Sequence, residues 1–194
     1  MPPGARRSGR GGALRAATVV VSFVALLWLL EIVDTVAGNR LDNGGISPRE
    51  VYELPDIVSA PFLHAGFDHL AANTMPLLVL GFLAALRGLG RFLVASAVII
   101  VVSGLAVWLI ASPGTITLGA SGLIFGYFSY VVLRGFLDRN PVDIAVGVAV
   151  ALLYGSILWG VLPTQADVSW QAHLFGLVGG VLAAWALRGG RARR

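Results

Sequence analysis

The stretch Leu118 to Leu137, LGASGLIFGYFSYVVLRGFL, decides the fold of this chain. It carries a single charged residue, Arg134, near one end, and about 20 helical residues are what roughly 30 Å of hydrocarbon requires. The run is therefore predicted as a helix that crosses a membrane. Five more runs of the same character surround it, at 16–37, 69–86, 92–111, 142–162 and 170–187. The connections 87–91, 112–117, 138–141 and 163–169 are short, so each helix returns antiparallel to its predecessor; only 38–68 is long. The sequence predicts an all-α integral membrane protein, a bundle of six transmembrane helices.

Composition points the same way. Of 194 residues, 57% are hydrophobic and 12% charged, and the mean hydropathy is +0.82. A chain of this length cannot hide so much apolar surface in one water-surrounded core, which makes the lipid bilayer its solvent. The pI of about 10.3 first suggests nucleic acid as a partner. The arginines, however, sit at the ends of the apolar runs: Arg6, Arg7, Arg10 and Arg15 before the first, Arg87 and Arg91 after the second, Arg134 and Arg139 at the end of the fourth, and Arg188, Arg191, Arg193 and Arg194 at the close. With six spans these all fall on one side, leaving Arg40 and Arg49 on the other, which predicts both termini in the cytoplasm and a multi-pass protein of the cell (inner) membrane. Nucleic acid is excluded as a partner. A cleaved signal peptide is the rival reading of the first run; that run is longer than a signal core, and its removal would leave the C-terminal arginines without a consistent side. Residues 1–15 and 188–194 read as basic tails, the first disordered, around a membrane domain at 16–187. Cysteine is absent, which excludes disulfides and thiolate chemistry. No His-Glu-x-x-His appears, so neither a metal site nor a cofactor is expected.

The long first loop, 38–68, is expected on the outer side with structure of its own. Ser47-Pro48-Arg49-Glu50 has the pattern of a capping box with Pro at the first helical position, predicting a short helix that stops before Pro55. Tyr52, Leu54, Ile57, Val58, Pro61, Phe62 and Leu63 place the loop in the outer face of the membrane.

Polar groups within spans are costly in lipid and are functional suspects for that reason. His64, His69 and His173 lie at or just inside the outer ends of spans two and six. Asn73 follows His69 by four residues, which stacks the two on one helix face. Ser121 opens span four within Gly119-Ala120-Ser121-Gly122. Three helices thus bring Ser, His and a His/Asn pair to similar depth, the set that acyl transfer needs: a nucleophile, a base and donors for an oxyanion. Gly122 and Gly126 on span four, with Gly176 and Gly180 on span six, form small-residue faces that permit close backbone approach. Taken singly, each has a plainer reading. A serine in an apolar helix usually bonds its own helix, as expected for Ser96, Ser103, Ser129 and Ser156, and glycine pairs commonly mean packing alone. Coincidence of depth across separate helices is what a packing account does not predict. Asp167 could orient His173, although a loop carboxylate beside Trp170 is ordinary at an interface.

The motifs Ala172-His173-x-x-Gly176-x-x-x-Gly180, Gly119-x-Ser121-Gly122 and His64-x-x-x-x-His69-x-x-x-Asn73, in that arrangement on successive spans, resemble the rhomboid intramembrane serine proteases, and 60–66 is similar to the bacterial branch. The resemblance implies a rhomboid-like six-helix bundle with a Ser/His dyad reached from the outer side. It implies Ser121 as nucleophile and His173 as base, with His69, Asn73 and the Ser121 backbone N–H stabilising the oxyanion. His64, Gly119, Gly122, Phe125 and Gly176 take supporting places. Phe125 stands where many relatives carry Tyr, keeping a ring to stack on the base without its hydroxyl. The Trp-Arg pair of some members' first loops has no obvious counterpart. The implied activity is a serine endopeptidase that cleaves transmembrane segments of other membrane proteins through an acyl-enzyme, with those proteins as partners. The alternative is a non-catalytic rhomboid-like protein that binds transmembrane helices. A transporter would want charges near the midplane, where Arg134 does not stand.

Overall fold

The helix that opens at Ser121 sits at the centre of the molecule, and the others are arranged around it. The computed structural model describes residues 3–164 and 168–189. Its helices are α1 (Pro3–Val36), α2 (Asp56–Ser59), α3 (Phe67–Ala85), α4 (Leu89–Ile110), α5 (Ser121–Asp138), α6 (Pro141–Tyr154) and α7 (Trp170–Ala186). Short 3-10 turns occupy Leu41–Gly44, Val51–Glu53 and Ala60–Phe62, and a longer one, Gly155–Val161, continues α6. No strand occurs among the described residues; Ile46 and Thr117 make an isolated antiparallel bridge. Each predicted apolar run coincides with a helix. Gly11–Val36, Phe67–Ala85, Leu89–Ile110 and Pro141–Val161 are long and apolar enough to cross a membrane. The two others, α5 and α7, are shorter, at 18 and 17 residues. Side chains on α5 are buried without a break from Gly122 to Val131, as suits a helix apolar on all sides.

Missing side chains set the spacing around α5. A Cβ on Gly176 would collide with the Gly122 carbonyl, and one on Gly180 with the carbonyl of Gly126. Between α5 and α6, a Cβ on Gly147 would stand 2.8 Å from the Val132 carbonyl. Small residues at such crossings let backbones meet where lipid supplies no hydrophobic drive for association. On the far side, α1 is joined to α3 by Trp28 Nε1, which donates to Thr74 Oγ1 at 3.1 Å.

One expectation is corrected. The helix predicted from Ser47 does not start there; only a single 3-10 turn, Val51–Glu53, forms between it and Pro55. Glu50 N–H donates to the Ser47 carbonyl at 3.3 Å, with Pro48 second in the turn and Arg49 third at φ 67°, the pattern of a type II turn. Tertiary partners outweigh the capping box: Arg49 N–H donates to the Trp108 carbonyl at 3.0 Å, Arg49 Nη2 to the Ala111 carbonyl at 2.9 Å, and Trp108 Nε1 to the Glu50 carbonyl at 3.1 Å. The loop is thereby pinned to the end of α4, with Ile57 packed on Gly104 and Tyr52 left fully exposed. The first helix is described from Pro3 to Val36.

Candidate active site

A cavity of about 310 Å³ lies beneath the first loop, and its walls include His69, Asn73, Ser121, Gly122, Phe125 and His173. The residues singled out by depth in the sequence thus share one space. A second recess of about 820 Å³ adjoins it at His69 and Ser169, with a polar lining that includes Thr115, Thr164 and Gln171.

Ser121 is the first residue of α5. Its N–H and those of Gly122 and Leu123 have no carbonyl four residues back within the helix, so they remain available to an anion. The preceding N–H, on Ala120, is already used: it donates to His64 Nε2 at 3.3 Å. Accepting at Nε2 requires a neutral His64. Burial, with a smaller contribution from His69, pushes its pKa down to about 4 and so keeps the ring neutral. The proton sits on Nδ1, which is buried without a partner among the described residues. His64 therefore holds the turn before Ser121 and does not line the cavity.

Gly119 adopts φ 121°, a conformation open to glycine, and a Cβ there would stand 2.9 Å from His69 Nε2. Both the turn and the nearness of His69 to the loop before Ser121 depend on this residue. From α3, Asn73 is buried and one of its two amide N–H groups donates to the His69 carbonyl at 3.1 Å, leaving the other unused. Pro76 lies one turn further on and also lines the cavity; with no N–H of its own it leaves the Ala72 carbonyl unpaired within the helix.

His173 is buried in the first turns of α7, and its ring lies flat on Phe125, with centroids 4.1 Å apart and planes 9° from parallel. The stacking expected of Phe125 is present. Nδ1 of His173 is 2.8 Å from the Gly160 carbonyl oxygen. A carbonyl can only accept, so Nδ1 carries the proton and the Nε2 lone pair is free. No hydrogen bond links Ser121 to His173 among the described residues; such bonds often tighten only when substrate binds. Chemically, the cavity offers a hydroxyl, an unprotonated imidazole nitrogen and several N–H donors.

Gly160 escaped the sequence reading because a backbone carbonyl has no residue-type signature; the only trace was a glycine in the fifth apolar run. Asp167, considered as a partner for His173, lies outside the described residues. Glu31 and Asp34 on α1, also passed over, are buried but lie away from the cavity, where Asp34 Oδ1 accepts the Leu41 N–H at 2.6 Å.

A family model for the Rhomboid domain matches residues 48–190. Over 178 residues the chain is 47% identical to an uncharacterized protein of Mycobacterium tuberculosis (strain ATCC 25618 / H37Rv), covering 88% of this chain and 74% of that protein. An uncharacterized protein of Mycobacterium leprae (strain TN) is 44% identical over 176 residues, or 87% of this chain and 70% of its own length. A Bacillus subtilis (strain 168) protein, YdcA, whose name assigns it provisionally to the rhomboid proteases, is 30% identical over 183 residues, 87% of this chain and 86% of that one. The motifs on α3, α5 and α7 fall inside the matched region, and the chain belongs to the rhomboid family.

Proposed function

We propose that this protein is an intramembrane serine endopeptidase that cleaves transmembrane segments of other membrane proteins near the outer face. The observation that carries the reading is the state of His173: its Nδ1 is occupied by the Gly160 carbonyl and its face by Phe125, so its remaining nitrogen is a free base in the cavity that Ser121 lines. Ser121 Oγ gives its proton to His173 Nε2 and attacks the scissile carbonyl. The oxyanion is received by the N–H groups at the start of α5 together with His69 and Asn73, where preorganised donors act most strongly. His173 then passes the proton to the leaving amine, and water arriving through the polar recess releases the acyl group from Ser121. The substrate helix reaches the cavity between α3 and α6 and unwinds locally, because its own hydrogen bonds shield its carbonyls.

In this reading all six apolar helices span the membrane, the arginine-rich side is cytoplasmic and the cavity faces outward. A cytoplasm-only reporter fused after Arg194 is expected to be active; silence there would reverse the orientation.

The deciding experiment is labelling of detergent-solubilised protein with a fluorophosphonate probe. Labelling is expected for the native chain and lost in Ser121→Ala. Equal labelling of both would remove the nucleophile from the reading and favour a helix-binding protein without catalysis.

A further inference from the structure

The 3-10 segment Gly155–Val161 is weakly held compared with the helix it continues. None of its residues is buried. On α6 itself, Gly147 and Val150 are buried and Asp143 is paired with Arg134 at 3.6 Å. Among the described residues, the segment's one hydrogen bond to another helix is the one that Gly160 accepts from His173.

A neutral imidazole carries one proton on either of two nitrogens, and only the form with Nε2 unprotonated can take a proton from Ser121. Stacking on Phe125 fixes the plane of the ring but acts equally on both tautomers. The Gly160 carbonyl distinguishes them. In soluble triads a carboxylate has this task; a neutral carbonyl does it here without placing another charge in a low-dielectric site. A side chain at position 160 would crowd the ring, since a Cβ there would stand 3.0 Å from His173 Nδ1 and 3.0 Å from Phe125 Cζ, so either ring would have to give way by a few tenths of an ångström. We infer that Gly160 is a positioning residue whose carbonyl selects the active tautomer of His173, so that the placement of 155–161 governs the base. The inference rests on the protease reading above.

Two matched substitutions test it in the full chain in detergent. A Cβ on Gly155 has nothing within 4 Å, so Gly155→Ala makes the same chemical change in the same segment without touching the site. Gly155→Ala is expected to keep kcat within about twofold, whereas Gly160→Ala lowers kcat by about 10- to 100-fold with KM nearly unchanged. Nitrogen-15 NMR of histidine-labelled protein supplies a readout that a purely structural role would not move. The chain has three histidines, and the signal lost in His173→Ala identifies the one that matters. The native protein is expected to show the Nδ1–H tautomer, and Gly160→Ala a mixture or the Nε2–H form. A native His173 protonated at Nε2, or full kcat in Gly160→Ala, overturns the inference. Should Gly160→Ala fail to fold, the native tautomer alone decides. Loss of Ser121-dependent labelling in the native chain would bring down the protease reading and this inference with it; intact labelling with an unaffected Gly160→Ala brings down the inference alone.

Discussion

The two ends of the bundle are built from opposite choices. Around Ser121, polar groups line an open cavity and several keep unused hydrogen-bonding capacity: the second amide N–H of Asn73, Nε2 of His173 and the first N–H groups of α5. At the other end, most polar groups pair with one another, although Arg134 Nε is buried without a partner among the described residues. Arg87 bridges Asp138, at 3.1 Å, and Asp143, while the buried Arg134 donates to the Leu83 carbonyl at 2.8 Å and pairs with Asp143. Asn140 caps α6 by accepting from Val142 and Asp143 N–H, and Asp138 also accepts the Gly189 N–H at 2.7 Å. Unsatisfied polar groups in low dielectric are costly, so capacity left unused in a cavity points to a ligand, while paired groups between helices serve packing. In the protease reading, one end serves reactivity and the other stability.

The sharpest way to break this division is to exchange the expected effects. Ser121→Ala should reduce cleavage by about 10⁴-fold or more while leaving thermal unfolding almost unmoved, and His173→Ala should reduce it as far with some loss of stability, because its buried ring stacks on Phe125 and holds Gly160. Asp143→Asn should do the reverse. It strands the buried Arg134 cation beside a neutral amide, at a cost of about 3 kcal/mol, with kcat retained in the fraction that stays folded. Thermal melts and turnover of a fluorogenic transmembrane substrate, measured on the same preparations, check both. If Asp143→Asn loses kcat without loss of stability, the two ends are not separable.

The next test lies inside the reactive end. Donors that meet charge only as it develops should affect kcat and not KM. Asn73→Ala and His69→Ala are expected to lower kcat by about 10²-fold, at the low end for loss of an oxyanion donor because several N–H groups share the charge. A raised KM at unchanged kcat would assign the pair to substrate binding.

The smallest effect sharpens the boundary at His64, which is paired at Nε2 but not at Nδ1 and stands at the cavity end without lining the cavity. Its folded pKa, about 4, lies below the ordinary value of 6.5. Between those values the unfolded chain binds a proton that the folded chain does not, so stability falls as pH drops from 6.5 toward 4 and levels off below. The span is worth on the order of 3 kcal/mol at most. Burial and the nearby Asp34 act on Asp42 in the opposite direction, raising its pKa, so the His64 part is isolated by subtracting the melt series of His64→Gln. Parallel pH slopes for the two proteins would mean that His64 is not held neutral by the fold.

Much of this was legible in the sequence, for a physical reason. Lipid forces long apolar runs and makes polar residues within them conspicuous, so the helix positions and the set Ser121, His173, His69 and Asn73 stood out by depth alone. What was not legible depends on contacts distant along the chain. The Ser47 to Glu50 pattern reads locally as a helix start, and only the carbonyls of Trp108 and Ala111 turn Arg49 the other way. The sequence likewise holds no trace that Asp143 would lie against Arg134 and Arg87. Gly160 acts through an atom that every residue possesses.

The contact between Gly176 and the Gly122 carbonyl has a consequence for how this protein can vary. His173 stands one turn before Gly176, and Gly122 directly follows Ser121, so the approach of the two helices beside Ser121 and His173 is set by one hydrogen atom on Gly176 where other residues carry carbon. Even alanine at 176 is oversized, and a misplacement of about 1 Å can cost 10²-fold in rate. Replacement there offers no gradation: the position works as a threshold, and a library varied at 176 should divide into glycine and inactive, with no slope of intermediate activities along side-chain volume.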